Sequence, residues 1–207
     1  MDPSTSLATA AQVLDYWFGS LEDGFADEGR RQRWFAADPA ADAEIGARFG
    51  WLFDAAASGE LDAWLQSPQG IVAFVLVCDQ FPRQVFRGSD RAYASDPLAL
   101  EVARRAIDAG MDAALAFDQR AFLYMPFQHA ESRVDQHAAV GLYAALRDAT
   151  PPGQRHLTGN YLRHAQQHRD IVLRFGRFPH RNQVLGRSSS DAELGYLKTA
   201  SHFGQNG

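Results

Sequence analysis

The sequence predicts an all-α fold, and three observations carry that expectation. Apolar residues recur at three- and four-residue steps along most of the chain, the spacing that lines one face of a helix. No segment keeps the period-two alternation of a half-buried strand. Helix-start signals, a capping side chain followed by proline, recur at Asp38-Pro39, Ser67-Pro68 and Asp96-Pro97. The expected architecture is an irregular antiparallel array of roughly seven to nine helices. One domain over residues 1–207 is expected to hold them.

Val13, Leu14, Trp17 and Phe18 form the apolar face of the first helix, which Gly19 is placed to end. Asp38 and Pro39 open an amphipathic helix whose face, Ile45, Phe49, Leu52 and Phe53, runs on toward Gly59. Ser67-Pro68 opens the next, over the apolar run Ile71 to Cys78. Its β-branched residues also suit a buried strand, but the start signal and the length favour a helix. Phe81-Pro82 is expected to end this helix near Asp79, because an interior proline removes a hydrogen bond and clashes with the preceding turn. Asp96-Pro97 starts another, with Leu98, Val102 and Ile107 before Gly110. Phe122, Leu123 and Tyr124 then lead to Pro126, expected to break or kink the chain ahead of a helix from about Val134 to Leu146. Pro151-Pro152-Gly153 is a loop, Leu157 to Phe175 a long helix ending near Gly176, and Ser190-Asp-Ala-Glu193 a capping box that opens the last helix.

Composition narrows the function classes. With 46% hydrophobic residues, 14 Phe, 6 Tyr and 4 Trp, the chain is a folded protein rather than a disordered one. The single cysteine, Cys78, lies in an apolar run, which leaves no disulfide framework and no Cys-based zinc site. The first residues show no basic region leading into an apolar one, and no run is long enough to span a bilayer. A cytoplasmic protein without membrane association is therefore expected. A formal charge of -5 with scattered basic residues sets nucleic acid aside as a partner. Lys198 is the only lysine; the arginine bias follows codon usage for the most part, and also suits planar recognition of carboxylate or phosphate. No phosphate loop, dinucleotide glycine pattern or nucleophile elbow is present, and no cofactor is expected.

Two similar polar cassettes are the main candidates for function: Asp79-Gln-Phe-Pro-Arg-Gln-Val-Phe-Arg-Gly88 and Arg177-Phe-Pro-His-Arg-Asn-Gln-Val-Leu-Gly-Arg187. A rigid turn at a helix end, loaded with Arg, His and Asn, presents fixed hydrogen-bond donors, which suits an anionic ligand. Asp79, Arg83, Arg87, Arg177, Arg181 and Asn182 are the candidate binding residues. The competing reading is that these side chains cap helix ends, or pair with one another as Asp79 and Arg83 are spaced to do. His129-Ala-Glu131, beyond a proline in an apolar helix, has the composition of a general acid/base pair, or equally of a surface helix start. His164 and His168 share one helical face at metal-ligand spacing, yet no carboxylate motif accompanies them and no metal site is expected. His137, His156 and His202 read as surface residues. Trp17, Trp34, Phe35, Phe49, Trp51, Phe53 and Trp64 read as core.

Taken in order, Val13-Leu-Asp-Tyr-Trp-Phe18, Arg33-Trp-Phe35, Asp79-Gln-Phe-Pro-Arg83, Phe86-Arg-Gly88, Asp96-Pro-Leu-Ala99, Phe122-Leu-Tyr-Met-Pro-Phe127, His129, Glu131-Ser132 and Phe175-Gly-Arg-Phe-Pro-His-Arg-Asn182 resemble the DUF924 family of bacterial and fungal proteins. The resemblance covers essentially the whole chain. It implies an all-helical fold similar to tetratricopeptide-type repeats, and no established activity. The family pattern has Asn where this chain has Gln84, and a more acidic stretch where it reads His129 to Gln136. His168, His180, Arg181 and Asn182 match it directly.

The expectation that follows is a pocket lined by Arg, His and Asn that binds a small anionic molecule or an acidic peptide end. Arg83 and Arg181 would grip the anion, Asn182 would orient it, and His180 or His168 would donate a hydrogen bond. An alternative is a hydrolase or lyase in which His129 and Glu131, with His168 and His180, do acid/base or metal chemistry. A third is a helical scaffold that holds a partner peptide in an apolar groove. The anion reading requires the two cassettes to meet in space.

Overall fold

The structure, a computed structural model, describes residues 3–199, with side chains from residue 9 onward. The described residues are all-α, with no strand beyond a lone bridge between Glu22 and Phe25. In chain order the helices are α1 (Pro3–Phe18), α2 (Glu28–Trp34), α3 (Pro39–Phe49), α4 (Leu52–Ala57), α5 (Pro68–Val75), α6 (Phe81–Val85), α7 (Asp96–Asp108), α8 (Phe117–His129), α9 (Arg133–Ala149), α10 (Arg155–Phe175) and α11 (Asp191–Leu197). This is more segments than expected, partly because the helix that Asp38 opens comes in two pieces, α3 and α4.

Local signals act where they stand. The Asp38 carboxylate accepts from Ala40 N and Ala41 N, and the Ser67 hydroxyl accepts from Gly70 N, with Pro39 and Pro68 as first helical residues. Gly176 takes φ +74 to end α10, and Ser190 with Glu193 forms the capping box of α11. None of the described helices is long and apolar enough to cross a membrane.

The prolines depart from expectation. Pro82 does not end the helix, because α5 runs into a π turn, Leu76–Gln80, and straight on into α6. Phe81 N–H reaches back to the Leu76 carbonyl, one residue further than in an α-helix. Proline still deprives the carbonyl four residues before it of a donor; that carbonyl belongs to Cys78, and the Ser95 hydroxyl donates to it at 2.6 Å. Pro126 likewise lies inside α8 without ending it. Asp96, expected to cap α7, is instead the first helical residue, and its carboxylate binds Arg83.

The core is centred on α5 and the π turn, where every residue from Ile71 to Gln80 is buried. Helices α1, α7 and α8 pack on α5, while α9 packs against both α8 and α10. Trp17, Phe18, Trp34, Phe81 and Phe122 meet ring to ring, the closest pair being Trp34 and Phe122 at 4.7 Å between centroids. Phe35 and Trp51, expected in this core, are 59% and 46% exposed. Phe35 stands just past the end of α2, and Trp51 in the break between α3 and α4, so neither is held on a buried helical face. Of the three aromatics that a partner-peptide groove would use, Phe25, Trp51 and Trp64, the first and last are buried and Trp51 is not. A smaller cluster of Ile171, Val172 and Phe178, with Phe175 and Tyr196, anchors the segment after α10. His137 and His156 are exposed as expected, and His202 lies outside the described residues.

Candidate functional site

A cavity of about 300 Å³ opens where the π turn, α6, the end of α8 and α10 come together. Each element delivers its side chains for a local reason. The π turn adds one residue to a helical turn, and so resets the face on which Asp79, Gln80 and the α6 residues Arg83, Gln84 and Arg87 sit. Helix α8 brings Gln128 and His129 in its last turn. Helix α10 contributes Tyr161, His164 and His168, spaced three and four apart along one face. Trp34, Phe35 and Met125 complete the wall.

Behind the wall is Asp79, whose carboxylate is fully buried. Its oxygens lie 2.7 and 3.0 Å from Nδ1 of His129, although 50 residues separate the two in sequence. The Gln80 amide donates to the same carboxylate through a short hydrogen bond. Arg83 lies 3.2 Å from Asp79 and binds Asp96 through two bonds of 2.8 Å. Burial alone would raise the Asp79 carboxyl, but the Arg83 guanidinium and then His129 outweigh it and hold the group well below the usual carboxylate range. An ionised Asp79 can only accept. His129 Nδ1 therefore carries the proton, and the lone pair sits on Nε2.

Burial, helped by Arg83, lowers His129 from its ordinary value, against the pull of Asp79. Burial, and next the nearby His129, push His168 further down. The His168 ring lies 6.1 Å from that of His129 and donates from Nδ1 to the His164 carbonyl at 2.8 Å. Both imidazoles are thus neutral at neutral pH, with a defined tautomer.

The cassettes do meet, at Asp96. Arg83 binds one edge of that carboxylate, and Arg181 lies 3.6 Å from it, packed over the rings of Tyr93 and Phe178. Arg181 and Asn182 are buried but do not line the cavity. Asn182 donates to Ser189, and Arg177 clasps Glu193 through bonds of 2.7 and 2.9 Å. His180 packs near Phe178, away from the wall. These contacts tie the segment after α10 to side chains of its neighbours rather than to helix-end carbonyls.

Glu131, expected beside His129, points elsewhere. It accepts from Phe178 N at 2.8 Å and from Arg187 at 2.6 and 2.9 Å, because Ala130 leaves the helix and swings the next residue toward the C-terminal segment. The partner of His129 is Asp79. Arg87, although on the wall, is held by Asp42 at 2.6 and 3.1 Å and by the Ala36 carbonyl. Among the described residues, no three His, Cys, Asp or Glu side chains gather in metal-binding geometry.

Gln80, Gln128, Asp96 and Tyr161 join the site although no motif marks them. Gln128 carries one signal, a polar side chain directly after the apolar run Phe122 to Phe127.

The family model described as a bacterial protein of unknown function, DUF924, matches residues 13–201. A solved structure of a protein of unknown function, ATU0120 from Agrobacterium tumefaciens, superposes with a TM-score of 0.80 at 40% sequence identity, covering 94% of this chain and 99% of that one. Comparison with curated proteins gives no match.

Proposed function

The chain belongs to the DUF924 family, and we propose that its cavity binds a small molecule on which His129 acts as a general base, oriented by Asp79, in a hydrolase- or lyase-type reaction. The observation that carries this reading is the 2.7 Å contact between the buried Asp79 carboxylate and His129 Nδ1 at the wall of the cavity. A neutral imidazole with its Nδ1 proton committed to a carboxylate offers Nε2 to take a proton from substrate or from an attacking water. The imidazolium that forms is then stabilised by the carboxylate behind it. A base with a lowered proton affinity remains unprotonated at neutral pH, as the role requires.

The reading of an anion gripped by arginines has less support. Arg83 faces Asp79 and Asp96, Arg87 faces Asp42 and Arg181 faces Asp96, so carboxylates within the protein already meet the guanidinium charges. The test is hydrolysis of a small activated ester, p-nitrophenyl acetate, in which His129 would take a proton from the attacking water as p-nitrophenolate leaves. His129→Gln should lower the rate by at least about a hundredfold, the usual scale of general-base catalysis. Equal rates in wild type and His129→Gln would remove the reading.

A further inference from the structure

Three glutamines line the cavity, and all three are more than nine-tenths buried: Gln80 at 7%, Gln84 at 8% and Gln128 at 7% exposure. Buried amides are costly unless their donors and acceptors are met. Two of them are half met. The Gln80 amide nitrogen donates to the Asp79 carboxylate, and that of Gln84 to the Trp34 carbonyl at 3.3 Å. Because those partners can only accept, the orientation of both amides is fixed and their remaining polar atom is the carbonyl oxygen. Among the described residues no donor reaches either oxygen, and neither is sealed from solvent space. The Gln128 side chain has no hydrogen-bond partner among the described residues at all, although it too is open to the cavity.

With His129 Nε2, the wall therefore offers a run of acceptors. The donors expected to face a ligand are turned away, since Arg83 and Arg87 are committed to Asp79, Asp96, Asp42 and the Ala36 carbonyl. The wall also carries the apolar surfaces of Trp34, Phe35, Met125 and the Tyr161 ring, whose hydroxyl is spent on Asp118 at 2.8 Å.

From this arrangement we infer that the cavity takes an uncharged, ring-containing molecule that donates hydrogen bonds, a phenol or aromatic amine rather than a carboxylate or phosphate. The ring rests against the aromatic residues while its O–H or N–H donates to one of the open acceptors, Gln80 Oε1, Gln84 Oε1 or His129 Nε2. Gln128, which can both donate and accept, reads a second polar group on the ring. The inference builds on the proposal that this cavity is the site of His129 chemistry.

The test is a set of calorimetric titrations of the full chain with phenol, aniline, benzoate and inorganic phosphate near neutral pH. Phenol or aniline should bind at least tenfold more tightly than benzoate, with phosphate weakest. A catechol titration should show a further gain over phenol that Gln128→Leu abolishes. Tighter binding of benzoate or phosphate, or no binding of any of the four, would overturn the inference. Failure of the base role appears instead as equal ester rates in wild type and His129→Gln, so the two failures are told apart.

Discussion

The Ser95 hydroxyl donates to the Cys78 carbonyl at 2.6 Å, occupying the acceptor that Pro82 strips of its helical donor. That bond, from a residue 17 positions away, meets the open carbonyl where a proline sits inside a continuous helix, with the π turn that aims Asp79 and Gln80 directly before it. Ser95→Ala leaves a backbone acceptor unsatisfied and should cost roughly 1–3 kcal/mol of unfolding free energy. Urea denaturation measures this directly, and a loss below about 0.3 kcal/mol would mean that the helix does not depend on Ser95.

Removing charge from the other side of the site should move the base in a definite direction. Arg83 lowers the proton affinity of His129 and Asp96 raises it. Arg83→Met should therefore shift the His129 titration to higher pH, and Asp96→Asn should shift it lower. Histidine ring resonances followed against pH give both shifts, and the same sign in the two variants would contradict the electrostatics described above.

Acid should destabilise the fold earlier than carboxylate titration alone would predict. His129 and His168 both have folded-state values below the ordinary 6.5, so between the folded and unfolded values the unfolded chain binds more protons. Their contribution is fully present above pH 6.5 and is lost as pH falls through the folded values. The slope approaches about 1.4 kcal/mol per pH unit for each proton involved. Denaturation midpoints measured at a series of pH values should show this decline, and His168→Gln should make it shallower.

Glu131 should behave as a structural residue. Glu131→Gln breaks charge-assisted bonds to Arg187 and should cost on the order of 2 kcal/mol. The pH profile of ester hydrolysis should keep its acid limb, because Asp79 rather than Glu131 orients the imidazole. A displaced limb would return Glu131 to the proton chemistry.

What was legible in the sequence follows from the range of the interactions. Asp38, Ser67, Gly176 and Ser190 act on their own helix ends, so their roles are readable from neighbours in the chain. The Cys78 carbonyl that Pro82 leaves open is met by Ser95, 17 positions away, and no local rule points there. His129 was recognisable as a candidate by residue type, but its carboxylate was sought two residues away at Glu131 and lies 50 residues away at Asp79. The partners that hold the arginines of both cassettes, Asp42, Asp96 and Glu193, come from other helices and leave no mark near them in the chain. The glutamines were overlooked for a related reason: an amide in a helix is unremarkable until its burial is known.

The most direct test of the account is a two-dimensional proton–nitrogen correlation of the histidine rings at neutral pH, comparing wild type with Asp79→Asn. The account predicts that His129 is protonated at Nδ1 and bare at Nε2 in the wild type, and that the Asn variant loses this tautomer. A proton on Nε2 in the wild type, or a tautomer unchanged by the substitution, would contradict it.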